Sequence, residues 1–249
     1  VVPGELGATG RETLIDSSCM LSGSGELFVG SNNYFLYALD TDDGSVLWSY
    51  ETGGEIDSSP TMSMDGNILV SSRDGFLYSL NRQGELVWRT DIGVNYFTAA
   101  VVDEIGRIYI SSYINETLSY LNLLSPDGAI LQQVAFPDIV DSSVSLSREG
   151  ILYVGAYDGK LYAFNNGARL SDSVWPKFRQ GLASRGGLEG YNPPVPGQER
   201  LFNISLRGSA LGGEEDVFAG FVVAGSGNKN LLIRGVGPGL GLKNVSEFM

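Results

Sequence analysis

Asp16, Asp57 and Asp141 are the residues whose type and placement most directly suggest chemistry, because each stands immediately before a Ser-Ser pair. Carboxylates repeated around one mouth of a ring could hold a cation through their oxygens. The same grouping also suits a local cap, in which a short Asx side chain accepts backbone N–H bonds from its neighbours. The cap is the expectation adopted for these three. Asp40-Thr41-Asp42-Asp43-Gly44 has the oxygens of a calcium loop, but its glycine falls one place early and no glutamate follows at the required distance, so it reads as a hairpin turn. Glu214, Glu215 and Asp216 are adjacent, and neighbours on a strand point to opposite faces, which does not suit a pair of acids across a cleft. The glycine-rich runs Gly225–Asn230 and Gly235–Gly241 lack phosphate-loop spacing, and Pro238 removes a donor.

Composition closes further classes. The 249-residue chain has no histidine, which excludes Ser-His-Asp and Cys-His catalysis within it and removes the commonest metal ligand. Cys19 is the only cysteine, so no intrachain disulfide, thiolate zinc cluster or Cys-x-x-Cys pair can form, and it is expected to pack as a small apolar residue. A net charge of −13 makes contact with a phosphate backbone repulsive, so nucleic acid is not an expected partner. No apolar run approaches the roughly 20 residues of a membrane-spanning helix. The chain opens at Val1 without a basic-then-apolar leader, and any secretion signal is expected to be already absent.

The elements that must position these residues come from a repeat. Leu36-Tyr37-Ala38-Leu39, Leu77-Tyr78-Ser79-Leu80, Leu118-Ser119-Tyr120-Leu121 and Leu161-Tyr162-Ala163-Phe164 align at spacings of 41, 41 and 43 residues. Ile15-Asp16-Ser17-Ser18, Ile56-Asp57-Ser58-Ser59 and Val140-Asp141-Ser142-Ser143 form a second column, with Val94-Asn95-Tyr96-Phe97 in the third copy. Strand-like runs follow, and a fourth column, Val46-Leu47-Trp48 and Leu86-Val87-Trp88, decays to Ile130-Leu131-Gln132. Asp-Gly corners at Asp43, Asp65, Asp74, Asp127 and Asp158 divide each copy into four short strands. Four antiparallel strands in about 40 to 45 residues is the period of a β-propeller blade. Small pairs after the second strand, Gly30-Ser31, Ser71-Ser72, Ser111-Ser112 and Gly155-Ala156, suit convergence toward an axis, while Trp48 and Trp88 would fill the wider space between blades.

The fold class expected is therefore all-β, four four-stranded antiparallel blades in an incomplete ring, followed by a short, truncated β module. Residues 1–14 read as the remnant of a preceding blade, and 15–180 as four blades at about 15–55, 56–93, 94–138 and 139–180. Residues 181–200, rich in Gly and Pro, read as a linker, and 201–249 as a β-rich module with strands near Leu201–Ser205, Val217–Val223 and Leu231–Arg234.

Ile56 to Trp88, with its Ile-Asp-Ser-Ser-Pro, Ser-Ser-Arg-Asp-Gly and Glu-Leu-Val-Trp segments, resembles the PQQ-like repeat of quinoproteins and of an outer-membrane assembly lipoprotein. Trp175-Pro176-Lys177-Phe178-Arg179 is similar to the tail that follows the last blade in such proteins, and the C-terminal part resembles a β-rich module of large secreted bacterial proteins. The resemblance implies an extracytoplasmic place (periplasm, cell surface or secreted) and a non-enzymatic scaffold that presents loops to a protein or glycan. Open blade edges would also permit self-association. The alternative is a ligand-sensing or PQQ- and calcium-binding quinoprotein-like domain. Catalysis in the dehydrogenases of that family uses adjacent cysteines, which a lone Cys19 does not supply, so no cofactor and no enzyme activity are expected. Tyr34, Phe35, Tyr96, Phe97 and Tyr113 fall near blade corners and are the expected rim-binding residues.

Overall fold

A computed structural model of the chain describes residues 14–95, 97–115, 118–180, 200–207 and 218–224, with backbone alone at Ile114 and in the last two stretches. The chain forms two compact units, divided between Tyr191 and Asn192.

Every described strand of the first unit belongs to a blade. Blade 1 is β1 (Met20–Leu21), β2 (Glu26–Gly30), β3 (Phe35–Asp40) and β4 (Val46–Glu51), and blade 2 is β5 (Thr61–Met62), β6 (Ile68–Ser71), β7 (Phe76–Leu80) and β8 (Leu86–Asp91). Blade 3 is β9 (Val101–Val102), β10 (Ile108–Asn115), β11 (Leu118–Leu124) and β12 (Ile130–Phe136). Within each sheet consecutive strands pair antiparallel, and in blades 1 and 2 the fourth strand, last in the sheet, alternates in exposure. The turns carry the predicted chemistry: Gly44, Gly66, Gly75, Gly128 and Gly159 of the Asp-Gly pairs all have positive φ.

The fourth copy keeps three of the four strands: β13 (Ser145–Leu146), β14 (Ile151–Gly155) and β15 (Leu161–Asn165). The Leu-Trp column that builds β4 and β8 has no counterpart after Asn165, and the chain turns inward instead. Arg169 O accepts from Glu104 N at 2.8 Å, Ser171 N donates to Val102 O at 2.9 Å, and Pro176 O accepts from Val102 N at 2.8 Å. Trp175 O accepts from Met62 N at 2.7 Å. The segment after blade 4 thus satisfies backbone groups that the short innermost strands β5 and β9 leave unpaired, while the Trp175 ring is buried in the core shared by blades 1 and 2.

Blade 3 departs from the sequence alignment. Its β10–β11 hairpin is longer, and Ser111 pairs with Leu121 where Ser71 pairs with Leu77. Leu121, not Leu118, therefore takes the Leu77 place, which makes the true spacings 44 (77 to 121) and 40 (121 to 161). Two departures, one long and one short, nearly cancel, which is how a leucine in the wrong register sustained an almost even period.

The cores lie between blades. Phe28, Leu36 and Ala38 of blade 1 meet Ile56, Met62, Ile68 and Tyr78 of blade 2. Leu69 and Leu77 meet Val102, Ile108 and Ile110 of blade 3, whose Val101, Tyr109 and Phe136 meet Leu152 and Val154 of blade 4. The remaining face of blade 1 buries Val29, Tyr37 and Leu39. In the second unit β16 (Arg200–Arg207) pairs antiparallel with β17 (Phe218–Ala224), overlapping the two strands read at 201–205 and 217–223; the third, at 231–234, lies outside the described residues.

Candidate functional site

The Asp-Ser-Ser column builds one end of the blades, and the structure shows what each of its side chains does. The first hydroxyl clamps the end of the second strand thirteen residues on: Ser17 Oγ donates to Gly30 O at 3.0 Å, Ser58 Oγ to Ser71 O at 2.7 Å, Thr98 Oγ1 to Ser111 O at 2.8 Å and Ser142 Oγ to Gly155 O at 3.0 Å. The second hydroxyl links blades, with Ser59 Oγ accepting from Ser18 N at 2.9 Å and Ser143 Oγ from Ala99 N at 3.0 Å. In blade 3 Thr98 and Ala99 hold the Ser58 and Ser59 places, two positions later than the sequence alignment puts them.

The aspartates do not cap their own serines. Each accepts from the residue sixteen places on, in the turn between the second and third strands of its own blade. Asn32 Nδ2 donates to Asp16 Oδ2 at 3.0 Å, Arg73 Nε to Asp57 Oδ2 at 2.6 Å, and Tyr157 OH to Asp141 Oδ2 at 3.1 Å. The three carboxylates thus hold equivalent places with unlike partners, an amide, a guanidinium and a phenol. Asp57 is the buried one, and burial foremost pushes its carboxyl up, with Arg73 opposing and Glu55 and Asp16 adding to the rise. Sequence reasoning passed over Asn32, Arg73 and Tyr157. The constant sixteen-residue offset was the signal that could have found them.

The rim aromatics separate. Tyr34 and Phe35 are partly buried at the second turn of blade 1, where Phe35 stacks on Tyr37 with ring centroids 5.9 Å apart. Tyr34 has φ +80°, the conformation that Gly75 and Gly159 adopt at the matching corners of blades 2 and 4. Phe97 is exposed beside Thr98, Tyr113 is partly buried and its backbone pairs with Val94, and Tyr96 lies outside the described residues. Cys19 corrects an expectation: it is exposed rather than packed, on the segment leading into β1.

A surface that the sequence did not announce lies on the outward side of blade 4. Leu36 and Leu77, at the start of β3 and β7, are fully buried by the next blade, whereas Leu161 in the same place on β15 is 70% exposed. Tyr153 and Tyr157 are also exposed there, and β15 has no fourth strand along its edge among the described residues. The opposite side of β15 is well packed, with Tyr162 and Phe164 meeting Phe136 edge-on at 4.9 and 6.1 Å.

Blades with a repeated hydroxyl clamp, one-blade-on-the-next cores and Asp-Gly corners define a propeller-repeat protein. Its repeats are similar to those of the PQQ-like β-propeller family: residues 11–99 match the family model described as outer membrane protein assembly factor BamB. Among solved structures, BamB from Moraxella catarrhalis aligns with a TM-score of 0.51 at 18% identity, over 64% of this chain and 52% of that one, a likeness of fold. A protein of unknown function from Bacteroides caccae aligns with a TM-score of 0.46 at 18% identity, over 67% and 63% of the two chains. The chain spans about half the length of the Moraxella protein. No curated protein matches it.

Proposed function

We propose that the chain is a non-enzymatic scaffold of an extracytoplasmic compartment that binds another protein through the outward flank of blade 4. The observation that carries this reading is the contrast at one repeat position, 70% exposure for Leu161 against complete burial for Leu36 and Leu77. An apolar strand face beside an open strand edge suits a polypeptide, which can add backbone hydrogen bonds and side chains together. The description of the matching family as an assembly factor supports the same reading, and the exposed Phe97 adds an apolar side chain at the rim. The competing reading, a small ligand held in the channel, meets the segment 169–176 hydrogen-bonded along the inner strands of blades 2 and 3.

The test is capture of partners from an envelope extract of the source cell, followed by measured affinity of the purified pair. Leu161→Arg is expected to weaken binding at least tenfold with the melting temperature unchanged. A partner bound equally by wild type and Leu161→Arg would overturn the assignment of the flank.

A further inference from the structure

We infer that the junction between blades 1 and 2 binds a hard divalent cation, held by the side-chain oxygens of Asp16, Asn32 and Asp57. Two acceptors carry the inference. Asn32 Oδ1 and Asp57 Oδ1 are both buried without a hydrogen-bond partner, on side chains whose residues are only 5% and 3% exposed. Buried polar atoms are ordinarily paired, so two orphans on facing blades mark a missing ligand. The orientation of Asn32 is set, since its Nδ2 donates to Asp16 and its oxygen is thereby the atom left over. The two segments are tied together where Ile56 N, next to Asp57, donates to Ser31 O, next to Asn32, at 3.2 Å.

Charge distinguishes a cation from a bridging water. Asp16, Glu55 and Asp57 carry three negative charges, and Arg73, which pairs with both Glu55 and Asp57, supplies one positive charge in return. A water could satisfy the two orphan acceptors but would leave that excess in place. The repeat shows what is lacking. Blade 2 sets a guanidinium, Arg73, against its aspartate, and blade 1 sets a neutral amide, Asn32, in the same place against Asp16. A cation at this junction stands in for the guanidinium that blade 1 does not have.

Carboxylate and amide oxygens are the donors that Ca2+ and similar ions prefer. Among the described residues no three acidic, His or Cys side chains converge on one point, so water would complete the coordination shell, and binding would be modest, with a Kd of about 0.1–1 mM. Asp16 is exposed and gives the ion its way in. Asp141, whose Oδ2 is served by the Tyr157 hydroxyl, has no orphan atom beside it.

Calorimetric titration of the full chain with CaCl2, paired with melting at 0 and 10 mM CaCl2 under constant ionic strength, tests the inference. One saturable event is expected, with melting raised by several degrees. Asn32→Arg, which restores the guanidinium of blade 2, should abolish both effects, and Asp16→Asn should weaken binding at least tenfold. Asp16→Asn is exposed and conservative, so it decides the matter if Asn32→Arg fails to fold. Asp141→Asn should bind as wild type. Absence of saturable heat together with unchanged melting would mean that the junction holds only water. Retained binding in Asp16→Asn would place any ion elsewhere. Either result overturns the inference.

Discussion

The junction between blades 1 and 2 and the outward flank of blade 4 are built from the same repeat positions and end in opposite states. At the junction, Gly30 ends β2 directly against Ile56 of the next blade, and a methyl group there would collide with the Ile56 side chain. On the flank, Gly155 ends β14 in the same way, yet a methyl group would meet only Ser142 Oγ at 3.5 Å, an ordinary contact. Small residues in this column are therefore required by a neighbouring blade rather than by the blade's own fold. A repeat protein buries each unit only through its neighbour, so the same sequence reads as core in one copy and as surface in another.

The largest expected effect concerns what seals the junction from inside. Trp175 is contributed by the segment that follows blade 4, 95 residues along the chain from Leu80, the nearest other buried member of the cluster it joins (175 − 80). Trp175→Ala should cost about 3–5 kcal/mol in chemical denaturation. It should also raise hydrogen exchange at Met62, whose N–H the Trp175 carbonyl accepts. Unchanged stability would show that the tail merely lies on the blades. Next in size, Gly30→Ala should cost about 1–3 kcal/mol through overpacking. Gly155→Ala should stay within about 0.5 kcal/mol of wild type. Equal costs at the two glycines would remove the distinction between junction and flank.

The architecture was legible because the signals that specify blades are local. Asp-Gly corners and alternating strand runs recur whatever the neighbours do, and they recovered β1 to β12 in kind and order. Register in blade 3 was not legible, since the period pointed to Leu118 while a longer hairpin puts Leu121 in that place, and only cross-strand pairing separates the two. The missing fourth strand of blade 4 was visible only as an absence, the lack of a Leu-Trp column after Asn165. For the candidate sites, residue type alone pointed to Asp16, Asp57 and Asp141. Their partners lie sixteen residues on and share no type, so no motif exposed them. The flank was illegible for a physical reason: Leu161 looks like Leu36 and Leu77, and what differs is the blade that covers them.

Trp48 and Trp88 sharpen the comparison at the outer wall. Trp48 Nε1 donates to Arg82 O at 2.8 Å and its ring lies over Gly84, where a methyl group would come within 2.7 Å of the indole. Trp88 repeats this on blade 3, donating to Pro126 O at 3.1 Å over Gly128. Each indole thus latches one blade to a turn of the next. Trp48→Phe keeps most of the apolar surface and removes the bond, so it should cost about 0.5–1.5 kcal/mol. A cost well below that range would assign the latch to ring packing alone.

Alkaline pH offers the finest cut between blade 2 and blade 4. Tyr78 of blade 2 is buried, and burial first, then its hydrogen bond to Asp74, push its hydroxyl up to about 12. Tyr162 holds the matching place in blade 4, bonded to Asp158 at 2.7 Å, and there the hydrogen bond rather than burial leads the upward shift. A phenol whose folded pKa lies above its unfolded value of about 10 contributes its full stability below pH 10. As pH rises from 10 toward 12 the unfolded chain ionises first, and that contribution is lost. Unfolding followed by denaturant between pH 9 and 12 should therefore show a fall in stability that Tyr78→Phe flattens and Tyr162→Phe leaves almost unaltered, because solvent reaches and screens the half-buried Tyr162–Asp158 pair. Equal flattening by both substitutions would mean that the Tyr162 hydroxyl is as enclosed as that of Tyr78, and would remove the distinction between blades 2 and 4 at this place.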